Sequence, residues 1–223
     1  MDSRRVAYLK ALDIEVWERR GVAPSAIPAP VSQPQSGWAE LERAVKSCTL
    51  CPLHKTRTQA VFGVGNRNAQ WMVIGEAPGA DEDRQGEPFV GRAGQLLNSM
   101  LKAIGLPREQ VFIANILKSR PPNNRDPRPE EVQACLPYLF RQIELVNPRL
   151  ILCVGRIAAQ TLLETDTSIG KLRGQLHRIA GNRPMIVTYH PAYLLRSPGE
   201  KRKSWSDLLL ALRTFESLPE AST

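Results

Sequence analysis

Residues 70–105 read QWMVIGEAPGADEDRQGEPFVGRAGQLLNSMLKAIG. The opening QWMVIGE (70–76) is a short apolar run ending at a glycine, the pattern of a strand buried on both faces. GRAGQLLNSMLKAIG (91–105) then places Leu96, Leu97, Met100, Leu101 and Ile104 on one helical face, closed by Gly105 as a C-cap. The same strand-then-helix unit recurs downstream. VFIANILK (111–118) is a second strand, and PEEVQACLPYLFRQIELV (129–146) a helix with proline and acids in its first turn. RLILCVG (149–155) is a third strand, followed by the helix RIAAQTLLE (156–164). PMIVTYH (184–190) is a fourth strand and SWSDLLLALRTFESL (204–218) a last helix. The alternation predicts an α/β fold, a three-layer α/β/α sandwich around a central, mostly parallel four-stranded sheet.

Upstream of this core, WAELERAVKSC (38–48) is helical in pattern, and the compact domain is expected over 38–218 with a tail at 219–223. Residues 1–20 contain an amphipathic helix from residue 5, with Val6, Leu9, Leu12, Val16 and Trp17 at spacings near three and four. Residues 21–37 hold four prolines and no charge, a linker composition that keeps this helix tethered outside the core. Such a helix suits docking on a protein partner. A monomer is expected.

The chain has 223 residues, 42% of them hydrophobic, which excludes wholesale disorder. No apolar run approaches the roughly 18 residues of a membrane span, and the N-terminus has no signal-peptide core. No membrane role and a cytoplasmic location are expected. Four cysteines in such a chain point to thiols or metal ligands and not to a disulfide scaffold. The net charge of +8 favours polyanionic partners, nucleic acid above all, although it also serves solubility.

Ligands of a parallel sheet bind beyond the carboxyl ends of its strands. Gly75-Glu76-Ala77-Pro78-Gly79 follows the first strand, and Asp81-Glu82-Asp83 and Phe89 lie between it and the next helix. Asn115 and Lys118-Ser119-Arg120-Pro121-Pro122 belong to the second strand end, Gly155-Arg156 to the third, and His190-Pro191-Ala192-Tyr193-Leu194-Leu195-Arg196 to the fourth. Each feature alone has an ordinary reading: turn glycines, a solvated acidic loop, a core phenylalanine, a structural histidine. Their convergence on one edge suits a flat, polar, neutral ring.

GEAPGADEDRQGEPFVGRAGQLL, NILKSRPPNNRDP, SIGKLRG (168–174) and HPAYLLR, in this order, resemble the family 4 uracil-DNA glycosylases, the type that carries a 4Fe-4S cluster. The resemblance runs from about Cys48 to about Leu212 and leaves out residues 1–37. It implies a monofunctional DNA-repair glycosylase that flips uracil out of DNA and hydrolyses its N-glycosidic bond, leaving an abasic site. By the same resemblance Gly75, Glu76 and Ala77 line the uracil pocket, Phe89 stacks on the base and Asn115 pairs with its N3–O4 edge. His190 stabilises the leaving anion at O2, as a neutral or a cationic imidazole, and Glu82 positions the water, with Glu76 second in line. Arg120, Arg125, Lys171, Arg173 and Arg196 are candidate phosphate contacts in loops on that edge. Tyr193, Leu194 and Leu195 resemble the wedge that fills the gap left by the flipped base, with ordinary helix packing as the other reading of the two leucines. The basic run Lys201-Arg202-Lys203 reads either as added nonspecific affinity or as a solvated helix start.

Cys48-x-x-Cys51 is a metal-ligand spacing compatible with zinc, redox chemistry or iron–sulfur. The family pattern adds a cysteine inside the K-C-R-P-P stretch and another downstream. The downstream one is Cys135, whereas the position inside the stretch is Ser119, a harder and far less acidic ligand than a thiol. The resemblance thus implies a cluster bound by Cys48, Cys51 and Cys135 and less stable than usual, with Ser119 or water as fourth ligand, a three-iron cluster, or no stable cluster as the outcomes. Cys153 is an alternative fourth ligand, although its apolar strand suits a buried structural thiol. A second functional class is a polymerase- or repair-associated DNA-binding module of the same fold that is catalytically weak. A zinc-bound nucleotide hydrolase is a third, and the sequence lacks a His/Asp ligand set for it.

Overall fold

The computed structural model describes residues 37–219. The helix read at 5–20, the linker up to residue 36 and the last four residues of the tail lie outside the described residues. Six strands among the described residues form one sheet: β1 (Val64–Gly65), β2 (Trp71–Gly75), β3 (Phe112–Asn115), β4 (Leu150–Val154), β5 (Leu176–Ile179) and β6 (Arg183–Thr188). Their order is β1-β3-β2-β4-β6-β5. The four expected strands are the central β3, β2, β4 and β6, all parallel, in registers that pair Gly75 with Asn115, Ile74 with Cys153 and Cys153 with Val187. The two additional strands are antiparallel and close the edges of the sheet. Neither carries an apolar run. β1 has two residues, and β5 is LHRI with only its last residue buried, as suits an edge facing water.

Eight helices surround the sheet among the described residues: α1 (Trp38–Lys46), α2 (Ala80–Gln85), α3 (Arg92–Ala103), α4 (Pro129–Val146), α5 (Arg156–Leu163), α6 (Ile169–Leu172), α7 (Pro191–Arg196) and α8 (Lys201–Ser217). Because β2 and β4 are buried along their whole length, alternate residues serve opposite layers. Met72, Ile74, Ile151 and Cys153 pack with Leu41, Val45, Leu139, Ile143 and Ala159 from α1, α4 and α5. Trp71, Val73, Leu150 and Leu152 pack with Leu97, Leu101, Leu208 and Ala211 from α3 and α8. Two buried layers around one sheet constitute the predicted sandwich. The C-cap of α3 is also as expected: Gly105 has φ +77° and its N–H donates to the Lys102 carbonyl at 3.0 Å. At the start of α4 the Glu131 carboxylate accepts from the Arg128 N–H at 2.9 Å. Helix α8 begins earlier than the sequence suggests, so Lys201, Arg202 and Lys203 form its exposed first turn. No helix among the described residues is long and apolar enough to cross a membrane.

Candidate active site

The carboxyl ends of the four parallel strands meet at a cleft of about 750 Å³. Glu76 and Ala77 follow β2, Asn115 ends β3, Gly155 and Arg156 follow β4, and Tyr189 and His190 follow β6. Phe89 enters from the loop between α2 and α3. Gly75 lies beneath them. A Cβ there would stand 2.5 Å from Asn115 Oδ1 and 2.6 Å from Phe89 Cζ, so only glycine lets both side chains close over the strand end. The structure therefore gathers Gly75, Glu76, Ala77, Phe89, Asn115 and His190 in one place.

Asn115 is 2% exposed, and its Oδ1 accepts no hydrogen bond from the described residues. An unsatisfied buried acceptor costs about 1–3 kcal/mol, which a ligand N–H would recover. His190 caps α7: its Nδ1 accepts from the Ala192 N–H at 3.1 Å. That bond requires an unprotonated Nδ1, so the neutral ring carries its proton on Nε2. Burial, assisted by Arg196 and opposed by Glu82, pushes its pKa down to about 4. The imidazole is neutral, a choice the sequence had left open.

The two carboxylates differ in kind. Glu82 Oε2 accepts from the Gly79 N–H at 3.1 Å, and Oε1 from the N–H groups of Val90 and Gly91 at 3.0 and 3.1 Å. Three backbone donors make it the brace of the 79–91 loop. The Glu76 carbonyl accepts from the Leu117 N–H at 3.0 Å, whereas its carboxylate accepts no hydrogen bond from the described residues, and its pKa is pushed up to about 7 by burial and Asp126, against the pull of Arg156. The Asp126–Arg156 ion pair, 2.9 Å long, also lines the cleft, and no motif in the sequence gives either residue a role.

Several candidate DNA contacts are engaged within the protein. Arg125 is bidentate on the buried Glu131, and Arg173 is bidentate on Asp207, which also accepts from Thr188. Both guanidinium groups brace loops, and Arg125, partly exposed, also lines the cleft. Arg120 donates to Asn124 Oδ1 at 2.7 Å, whereas Lys171 is exposed and Arg196 is exposed on the cleft wall. Tyr193 lines the cleft, its ring tilted 44° against that of Tyr189 with centroids 5.0 Å apart. Leu194 is 1% exposed and belongs to the core layer of α3 and α8, so for it the packing reading holds; Leu195 is half-buried.

Among the cysteines, the charges of Cys48, Cys51 and Cys135 act on one another. Burial pushes the Cys51 thiol up and the Cys135 thiol to about 11. Cys153 is fully buried in β4, its thiol pushed up by burial with no contribution from the other three. At the fourth position Ser119 Oγ accepts from Arg57 Nη1 at 2.8 Å, while Arg57 Nη2 donates to the carbonyls of Lys46 and Cys48. Among the described residues no three His, Cys, Asp or Glu side chains converge on a single metal ion. A multi-iron cluster spreads its ligands over separate iron atoms and is bound by thiolates, and the Ser119 hydroxyl, engaged by Arg57, is not a thiolate. Lys118, which the motif places at the second strand end without a role of its own, is buried beside Cys135. It donates to the Asn115 carbonyl at 2.8 Å and to Gln142 Oε1 at 2.6 Å.

A doubly wound sheet with an orphaned amide, a neutral imidazole and an aromatic ring at its carboxyl edge defines an enzyme that seats a flat polar heterocycle. The family model "Uracil DNA glycosylase superfamily" matches residues 62–210. The type-4 uracil-DNA glycosylase of Archaeoglobus fulgidus is 48% identical over 175 residues, covering 75% of this chain and 88% of that protein. The one from Thermotoga maritima is 47% identical over 154 residues, covering 69% of this chain and 80% of that protein. A DNA polymerase of Bacillus phage SP01 is 34% identical over 152 residues, which is 67% of this chain and 16% of that protein. The chain belongs to the type-4 family of the uracil-DNA glycosylase superfamily. The packing of Leu194 yields a prediction within this family: Leu194→Ala lowers unfolding stability by about 2–5 kcal/mol in a denaturant titration, the range for truncated core leucines. A variant of wild-type stability that binds DNA poorly would restore the wedge reading.

Proposed function

We propose that this chain excises uracil from DNA, hydrolysing the bond between uracil N1 and deoxyribose C1′ and leaving an abasic site for repair. The observation that carries the reading is the unpartnered Asn115 Oδ1. Uracil offers an N3–H donor to that oxygen and an O4 acceptor to the Asn115 Nδ2 group. Cytosine offers an unprotonated N3 and an amino donor at the same two places, so the amide selects uracil. Phe89 stacks on the flipped base, which leaves the helix at a cost of a few kcal/mol.

As the N1–C1′ bond breaks, its electron pair passes into the ring and negative charge grows on O2. The Nε2–H of neutral His190 donates to that oxygen, a fixed donor in a water-poor site. The sugar becomes oxocarbenium-like and accepts a water oxygen at C1′. Glu76, with both carboxylate oxygens free of backbone donors, holds this water and takes its proton. The three amides that occupy the Glu82 oxygens are the reason for placing the water on Glu76 ahead of Glu82. Arg120, Lys171 and Arg196 supply phosphate contacts. A catalytically weak DNA-binding module would have no need of the open amide and the oriented imidazole.

Cys48, Cys51 and Cys135 would hold an iron–sulfur cluster, with Ser119 the weak corner. Such a group supplies structural pinning of the 48–57, 119 and 135 segments, and the hydrolysis does not depend on its redox chemistry. Lys118 joins this region to the backbone of Asn115.

An oligonucleotide containing one uracil becomes alkali-labile on incubation with the protein, and Asn115→Ala and His190→Ala each slow single-turnover excision by about 10²–10³, the loss typical of one oriented transition-state donor. No excision by folded wild-type protein would defeat the reading. The Glu76 carboxyl, with its pKa near 7, makes excision slow as pH falls from 8 to 6. Because the folded state binds this proton more tightly than the unfolded chain, stability falls as pH rises from about 4.5 to 7 and the penalty is complete above 7. Glu76→Gln is accordingly slow at all pH values yet has a higher Tm than wild type at pH 8; wild-type rates in this variant would assign the water to another group. Anaerobically purified protein is brown and Ser119→Cys makes the chromophore more durable in air, whereas a colourless, iron-free anaerobic preparation would rule the cluster out.

A further inference from the structure

Among the described residues, Phe89 is the one aromatic side chain that reaches the cleft from a left-handed backbone, with φ +55°. For a bulky residue this conformation costs about 1–3 kcal/mol and persists only where the surroundings impose it. Three features surround it. Glu82 takes the N–H groups of Val90 and Gly91 on its C-terminal side. Gly94 lets α3 approach the Phe89 carbonyl, since a Cβ there would lie 1.8 Å from that oxygen. The third is Arg108, in the turn before β3. Its Nη1 donates to the Phe89 carbonyl at 3.3 Å and to Asn98 Oδ1 at 3.1 Å, and its Nη2 donates to the Pro88 carbonyl at 2.6 Å and to Glu87 Oε1 at 2.9 Å.

We propose that Arg108 is a positioning residue for the base-stacking ring, holding the strained Pro88–Phe89 backbone so that Phe89 presents its face to the cleft. Arg108 is not among the cleft-lining residues, so it acts on the base through Phe89 alone. The fork geometry matters. Two adjacent carbonyls, a carboxylate and an amide oxygen are met at once by a planar guanidinium with a rigid set of donors, and an ammonium on a flexible stem cannot span them. Side-chain exposure of 17% shields these bonds from competition with water. The ion pair with Glu87 ties Arg108 to the start of the same loop, and the bond to Asn98 ties it to the second turn of α3. The loop is thereby fixed to the helix by a residue that does not line the cleft.

The proposal rests on the stacking role given to Phe89 above, and the test separates the two. Free uracil is titrated as an inhibitor of excision by wild type, Phe89→Ala, Arg108→Ala, Arg108→Lys and the double variant Phe89→Ala/Arg108→Ala. In parallel, each protein is titrated with the same oligonucleotide carrying a stable abasic analogue, which has no base to stack. Arg108→Ala and Arg108→Lys are expected to weaken uracil inhibition about tenfold, the scale set by one strained residue, and to leave abasic-DNA affinity within twofold of wild type. In the double variant the uracil effect should not exceed that of Phe89→Ala alone. If Phe89→Ala leaves uracil inhibition unchanged, the stacking role fails and the proposal with it. If Phe89→Ala weakens inhibition and both Arg108 variants do not, the proposal alone is overturned. Equal weakening toward uracil and abasic DNA, or additive losses in the double variant, would also overturn it. Should Arg108→Ala not fold, Arg108→Lys decides by the same criteria.

Discussion

The parallel pairing of β2 with β3, which sets Gly75 opposite Asn115, is the constraint from which the site follows. Parallel strands buried on both faces cannot slip register without moving whole rows of side chains between the two core layers. The strand ends are therefore held to a fixed relation, and the polar groups beyond them inherit it. The missing side chain at Gly75 then lets Asn115 and Phe89 meet over the strand end. A single methyl group at that position would collide with both. The carboxyl edge of the sheet is thus the floor of the pocket as well as its scaffold.

Burial at this edge works on charge as much as on shape. His190 is kept neutral because desolvation disfavours the imidazolium and its Nδ1 is already used as an acceptor. Glu76 is kept proton-hungry by the same burial, reinforced by Asp126. Glu82 sits nearby and is different, because three backbone amides occupy its oxygens. Two carboxylates six residues apart in sequence both line the cleft and differ in environment, one with its oxygens taken by backbone amides and one without such donors.

The positive charge that first suggested nucleic acid is distributed less simply than its total implies. Arg125, Arg173 and Arg108 hold loops through buried or half-buried carboxylates and carbonyls. A guanidinium suits this because its fork satisfies several acceptors in one plane. What remains open toward solvent on the candidate face is a smaller set, with Lys171 and Arg196 on it. At the cysteine site Arg57 does a related job, binding Ser119 Oγ where a thiolate ligand would be expected from the family pattern.

The central strands, the long helices, the CxxC pair and the strand-end motifs were readable from residue order, since apolar periodicity and capping are local. The two edge strands were not, because β1 is too short and β5 too polar to form a pattern. The pocket residues Gly75, Ala77, Phe89, Asn115 and His190 could be named in advance through the motifs that carry them. Their division of labour could not. The tautomer of His190, the bracing role of Glu82 and the Arg125–Glu131 pair are set by side-chain conformations within short stretches, and the Arg173–Asp207 pair and the hold of Arg108 on Phe89 arise from contacts between segments that no periodicity links. Arg173 meets Asp207 across 34 residues, and Arg108 meets Phe89 across 19. Such pairs obey no spacing rule, because they are set by which surfaces the packed sheet brings together.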